Sequence, residues 1–180
     1  MPAPPMTLPP LQVSRWFNTG EPLTLDAMRG KVVAIHAFQM LCPACVAHAL
    51  PQATRLHEAF RGDGLAVIGL HTVFEHHAVM GADALAAFIQ EYRLRFPIGI
   101  DMPASDGPIP LTMAAWHLRG TPSLVVLDRD GQPRCHHFGQ IDDLALGALI
   151  GGLLRQPVSP GRAGAGITAC DDDGCARPSP

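Results

Sequence analysis

Two cysteines separated by two residues, Cys42-Pro43-Ala44-Cys45, are the side chains best placed to do chemistry in this chain. A thiolate attacks a disulfide sulfur, and a second thiol three residues on can release the product from the resulting mixed disulfide. Such a site must favour negative charge on sulfur. A helix N-terminus does so through its unpaired amides and dipole, and in Cys-x-x-Cys sites the thiol pKa falls to ~3.5 to 7.5. Cys42, at the helix edge, is then the nucleophile, and Cys45, one turn in, is the resolving thiol. Pro43 suits the first helical turn, where its missing N–H costs little.

The other candidates are weaker. Cys170 and Cys175 bracket Asp171-Asp172-Asp173-Gly174 and form a candidate second redox pair. A linker of the composition that runs from Leu154 to Cys170 has a reach of ~20 Å, comparable with the ~15 Å radius of gyration of a domain this size, so this pair can meet Cys42. A flexible end with incidental thiols explains it equally well. Cys135 stands alone and reads as a small buried hydrophobe. His48, one turn beyond Cys45, could take the resolving thiol's proton, against a plain exposed histidine beside Gln52 and Arg55. His36, inside an apolar run, is a candidate buried proton acceptor, against a hydrogen-bonded core histidine. His76-His77 and His136-His137 are adjacent pairs whose side chains diverge, so no metal site is expected, and no cofactor.

These residues need a scaffold, and the pattern of apolar residues supplies one. Val32 to Phe38 is nearly continuous in its hydrophobicity, as in a strand covered on both faces. Val46, Ala49, Leu50, Ala53, Leu56 and Phe60 then make one helical stripe, which Pro51 should bend. Leu65 to Leu70 is a second buried strand, parallel to the first, and completes a β-α-β crossover. His71 to Gly81 reads as a loop. Leu85, Phe88, Ile89 and Tyr92 mark a helix, Phe96 to Ile100 a short strand, and Leu111 to Leu118 a short helix. Ser123 to Leu127 pairs through the turn Asp128-Arg129-Asp130-Gly131 with a strand reaching Phe138, and Ile141 to Leu154 closes the unit as a helix. Trp16 to Leu25, broken by Gly20-Glu21-Pro22, suggests an N-terminal hairpin. Asp26 caps a single turn that Gly30 ends.

Residues 1–10 carry a proline-rich, poorly ordered arm, residues 11–155 one domain, and residues 156–180 a tail too poor in apolar residues to order itself. A chain of 180 residues, 47% hydrophobic, suits one core. The formal charge of -3 leaves no basic stripe for nucleic acid. No apolar run approaches the ~20 residues of a membrane span. The first residues lack the basic and apolar regions of a signal peptide, so the chain reads as cytoplasmic; a periplasmic chain trimmed of its leader would read the same.

Arg15-Trp16-Phe17-Asn18-Thr19, Leu23 to Val33, the Cys42 to Cys45 motif and Gly120-Thr121-Pro122-Ser123 resemble the TlpA-like branch of the thioredoxin superfamily, a redoxin group related to AhpC/TSA proteins. Gly69-Leu70-His71-Thr72 is similar to the thioredoxin-like domain of DipZ-type proteins. The resemblance spans about Leu11 to Leu154. It implies an α/β thioredoxin-like fold, a central mixed sheet flanked by helices, with an N-terminal β-hairpin extension. It also implies a thiol-disulfide oxidoreductase acting on protein or small disulfides, fed by an unknown reductant. Cys42 and Cys45 would be the redox pair and Pro122 a cis-proline facing them. The backbone of Thr121 would be offered to an extended substrate segment.

The chain departs from the family at three places. Leu41 stands where Trp usually precedes the first cysteine, Pro51 falls one place late, and His48 replaces a common acidic residue. Two alternatives share the fold. One is a peroxiredoxin-like peroxidase, disfavoured because Ile35 and Gln39 replace the Pro and Thr or Ser set before a peroxidatic cysteine. The other is a copper chaperone, which spaces its cysteines one residue wider.

Overall fold

The computed structural model describes residues 8–157; Cys170 and Cys175 lie outside the described residues. Its strands are β1 (Val13–Phe17), β2 (Val32–Phe38), β3 (Leu65–His71), β4 (Ile98–Asp101), β5 (Ser123–Leu127) and β6 (Pro133–Phe138). Its helices are α1 (Leu50–Ala59), α2 (Ala82–Glu91), α3 (Leu111–Ala115) and α4 (Asp143–Leu154). The strands form one mixed sheet in the order β1-β4-β3-β2-β5-β6.

β2 owes its central place to its composition. All seven of its residues are buried, with β3 parallel on one side and β5 antiparallel on the other. Alternation along the strand splits the core in two. Val32, Ala34 and Phe38 face a cluster that includes Cys45, Leu50, Ala53, Leu146 and Ile150. Val33, Ile35 and Ala37 face Met28, Met113 and Trp116. A strand with side chains of both parities in a core cannot keep one face in water, as the continuous apolar run implied.

β6 behaves oppositely. Its side chains alternate between half-buried and exposed, which suits an edge strand with one wet face. The expected β5–β6 hairpin forms, with Asp128 holding its turn by accepting from the amides of Asp130 and Gln132 at 2.9 and 2.8 Å.

The N-terminal hairpin does not form. β1 is a single strand that pairs antiparallel with β4, and no strand follows it before β2. Two local features explain this. Gly99 lets β1 close in, since a Cβ there would come within 2.9 Å of Val13 and 3.2 Å of Trp16. Asn18, at φ 57°, then turns the chain away, and its amide donates to the carbonyls of Leu94 and Phe96 at 2.8 and 3.0 Å. Leu23 and Leu25 pack onto the second core cluster rather than returning as a strand. Residues 8–10, assigned by composition to the arm, are tied down: Leu8 packs on that cluster and Trp116 Nε1 donates to Pro9 O at 2.8 Å.

The bend expected at Pro51 takes a specific form. Cys45–Ala49 is a π-helical turn, closed where the Leu50 amide bonds back to Cys45 O, and α1 begins immediately after it. Pro51 has no N–H to continue the ordinary ladder, and a wider turn just ahead of it absorbs the missing bond.

Candidate active site

The loop after β2 delivers Cys42 to the edge of this helical segment. The Cys42 amide donates to Gln39 O at 3.2 Å, and Val46 N donates to Cys42 O at 3.1 Å, so Cys42 occupies the first turn. Gln39 is itself buried; its Oε1 accepts from Phe74 N at 3.3 Å and its Nε2 reaches Glu75 at 3.4 Å. These bonds pin the loop that carries the cysteines to the loop after β3. Nothing in the motif signalled the role of Gln39, because its partners are more than thirty residues away in sequence.

Cys42 is half-buried, and Cys45 is fully buried in the main core cluster. The Cys45 amide donates to Cys42 Sγ at 3.3 Å. The Cys42 thiol in turn lies 3.5 Å from Thr121 O. An amide pointed at sulfur is what a thiolate would accept, and a backbone carbonyl is what a thiol would donate to. Burial pushes the Cys45 thiol up to about 12, and its bond with the Cys42 sulfur adds to the effect. The two sulfurs thus sit in opposite environments, one reachable and one sealed.

Across from them the Thr121-Pro122 bond is cis. Ser123 Oγ donates to Gly120 O at 2.7 Å, and Gly139 N donates to Pro122 O at 2.8 Å, which ties this loop to the end of β6. Gly120 has no room for a side chain, since a Cβ would come within 3.0 Å of the Phe138 ring. Phe138 is exposed there, and the Arg119 guanidinium lies over its ring at 5.3 Å. Leu41, in the place usually held by Trp, is 57% exposed and supplies an aliphatic surface beside Cys42.

The two candidate histidines line one cavity. The side chain of Cys45 is sealed in the core, while His48 is exposed at the rim of a cavity of about 340 Å³. His36 lines the same cavity, lying between Ala34 and Phe38 on β2. It is 2% exposed, its Nε2 is buried without a hydrogen-bonding partner, and burial lowers its pKa to about 4. Pro122, Gln52 and Asp142 complete the cavity's characteristic lining.

Sequence reasoning missed the last two. Gln52 Nε2 donates to Ile141 O at 3.0 Å and to Asp143 Oδ1 at 2.6 Å, bridging α1 to the start of α4. Asp142 caps α4, accepting from the amides of Leu144 and Ala145 at 2.9 and 3.0 Å. A signal for the cap was present in the pair Asp142-Asp143 ahead of an apolar helix.

His77 meets Pro108 O at 3.2 Å, His137 meets Gln140 O at 3.1 Å, and Cys135 is half-buried on β6 against the main core cluster. Among the described residues no group of three or more His, Cys, Asp or Glu side chains converges on a metal position. Nor is any helix among them long and apolar enough to cross a membrane.

Comparison with known proteins agrees with this geometry. The AhpC/TSA family model matches residues 1–133. A crystal structure of a thioredoxin-like superfamily protein is 52% identical, with a TM-score of 0.82, over 85% of this chain and 99% of that one. A thiol-disulfide isomerase from Corynebacterium glutamicum is 47% identical, with a TM-score of 0.80, over 83% and 97%. Protein DipZ of Mycobacterium bovis is 30% identical over 153 residues, covering 83% of this chain; the chain spans about a fifth of DipZ's length, 21%. The chain therefore belongs to the AhpC/TSA family and, within the thioredoxin superfamily, to the TlpA- and DipZ-like thiol-disulfide oxidoreductases.

Proposed function

We propose that the chain exchanges disulfides with extended polypeptide or small-molecule substrates through Cys42, with Cys45 as the resolving thiol. One observation carries this reading: Cys42 Sγ, half-buried at the helix edge, lies between the Cys45 amide at 3.3 Å and the Thr121 carbonyl at 3.5 Å, beside the cis bond to Pro122. In the reducing direction the Cys42 thiolate attacks one substrate sulfur. The substrate S–S bond breaks, a Cys42–substrate bond forms, and the first substrate sulfur leaves as a thiolate. Cys45 then attacks Cys42 Sγ, the mixed disulfide breaks, and the second substrate thiolate leaves. Two electrons pass from the dithiol to the substrate, and Cys42 and Cys45 end joined.

The proton held by Cys45 must leave during the second step. Burial works against moving it to His36, since it raises the Cys45 thiol and lowers the imidazole; the departing substrate sulfur, whose thiol has an ordinary pKa of ~8.5, is the better acceptor. His36 then serves as a neutral acceptor beside the substrate, and His48 lies exposed at the cavity rim. The backbone of Thr121 holds an extended segment as an added strand would be held.

Insulin disulfide reduction by the reduced protein tests the reading, run beside peroxide consumption and copper content after purification. Activity should vanish in Cys42→Ser. In Cys45→Ser a mixed disulfide should accumulate on Cys42. Activity unchanged in Cys42→Ser overturns the reading, and peroxide turnover exceeding insulin reduction would favour a thiol peroxidase instead. Copper bound at one equivalent with no reductase activity would favour the chaperone.

The relay to Cys170 and Cys175 is a finer part of the same proposal. It is supported by a linker whose ~20 Å reach is comparable with the size of the domain. Mapping the disulfides trapped in Cys45→Ser over a range of redox poise tests it; no Cys42 linkage to either tail cysteine at any poise removes the relay.

A further inference from the structure

We propose that the cavity beside Pro122 is a subsite for a basic side chain of a polypeptide substrate, next to the cysteine being exchanged. This rests on disulfide exchange at Cys42 and adds which polypeptides exchange fastest. Its position is the first reason. Pro122 forms part of the cavity wall, and the carbonyl of the preceding Thr121 is 3.5 Å from Cys42 Sγ. A segment lying along Thr121 with its sulfur at Cys42 therefore runs next to Pro122, which walls the cavity. A volume of about 340 Å³ holds a long side chain together with some water.

The chemistry of the lining is the second reason. Arg55 and Asp143 pair at 2.8 Å and neutralise one another. Asp142 uses one carboxylate oxygen to cap α4 and makes no ion pair among the described residues. Its charge is offset only by the α4 amides it caps, with no cation paired to it among the described residues, and His48 lines the same cavity. Inside, the His36 imidazole is buried without a partner for Nε2. A neutral imidazole and a carboxylate share one need, a hydrogen-bond donor. An acidic guest would face the Asp142 charge and offer no proton. An apolar guest would cover both groups and satisfy neither. A lysine or arginine suits the lining, because its stem can lie on Pro122, Leu124 and Ile141 while its charged end stays at the wet rim and donates to Asp142.

The test uses the full chain and a set of peptide disulfides that share one cysteine, with Lys, Gln or Glu placed in turn at the two positions on either side. At one of these positions kcat/KM should rank Lys above Gln above Glu. The Lys to Gln ratio should be about fivefold, the size of one partly exposed charge contact, and should shrink as salt is raised. Asp142→Asn and Asp142→Ser keep a helix-capping side chain and remove the charge; both should bring the ratio close to one. Equal rates for Lys, Gln and Glu at every position overturn the proposal, as does a Lys preference that survives in both variants. A second measurement separates this from the exchange reading. Titration calorimetry of Cys42→Ser with the same peptides carrying Ser for Cys should again rank Lys above Glu, whether or not any peptide is reduced. An absent ranking there overturns the subsite alone.

Discussion

His36 and Asp101 are both polar residues at 2% exposure on strands of the same sheet, yet the fold treats them in opposite ways. Asp101, at the end of β4, accepts from Thr72 Oγ1 at 2.9 Å, Thr112 N at 2.8 Å and Met113 N at 2.9 Å. It joins the end of β3, β4 and the start of α3 through these three bonds. His36, two strands away in β2, has a buried nitrogen with no partner and a cavity in front of it. A fully satisfied buried acid is a joint. A buried imidazole left unsatisfied beside the redox pair is a place kept open for something that arrives.

The largest test of that contrast is Asp101→Ala. It leaves two amides and a hydroxyl buried without an acceptor, and should cost about 3 to 5 kcal/mol in urea unfolding at pH 7. A loss below about 1 kcal/mol would erase the distinction.

Acid titration is the next test, because the two groups tilt stability in opposite directions. Burial lowers the His36 pKa from 6.5 to about 4, so the unfolded chain binds a proton there first. Stability from this group is intact above pH 6.5 and is lost as pH falls towards 4. Burial of Asp101 raises its pKa above 3.8 despite the lowering effect of its hydrogen bonds with Thr112, Thr72 and Met113. Stability from that group is present below pH 3.8 and is lost as pH rises through its folded value. His36→Leu should therefore make the protein about 2 kcal/mol more stable than the parent at pH 5, relative to their difference at pH 8. Parallel stability curves for the two proteins would show that His36 finds a partner after all. His71, also held at about 4 by burial, leaves a residual acid sensitivity in both.

The smallest effect belongs to Arg55→Ala. Its ion pair with Asp143 is more than half exposed, so the loss should be below about 1 kcal/mol in the same unfolding experiment. A larger loss would make the cavity rim a structural joint like Asp101.

How much of this could be read from residues in order follows from how local each feature is. β2, the Cys42 and Cys45 pair, the β5–β6 hairpin and α4 announce themselves by periodicity, spacing or turn chemistry within a dozen residues. The partner of β1 does not. Trp16 and Phe17 look like half of a hairpin, and only Gly99, more than eighty residues on, reveals the edge they fill. The exposed setting of His48, beside Gln52 and Arg55 on the cavity rim, is one of the two settings that helical spacing offers. Gln39, Gln52 and Asp101 were silent because a polar residue's burial is decided by distant hydrogen-bond partners, which no local pattern encodes.

The flanking of β2 by β3 and β5 along most of its length has one more consequence. Amides in such a strand are released to solvent only when the whole domain opens, so they should be among the last to exchange with deuterium. Cys42 follows this strand by only a few residues. The Cys42 amide bonds to Gln39 O, so the loop that carries the reactive sulfur starts from an anchored strand end, and a core substitution that opens β2 more often should loosen the nucleophile with it.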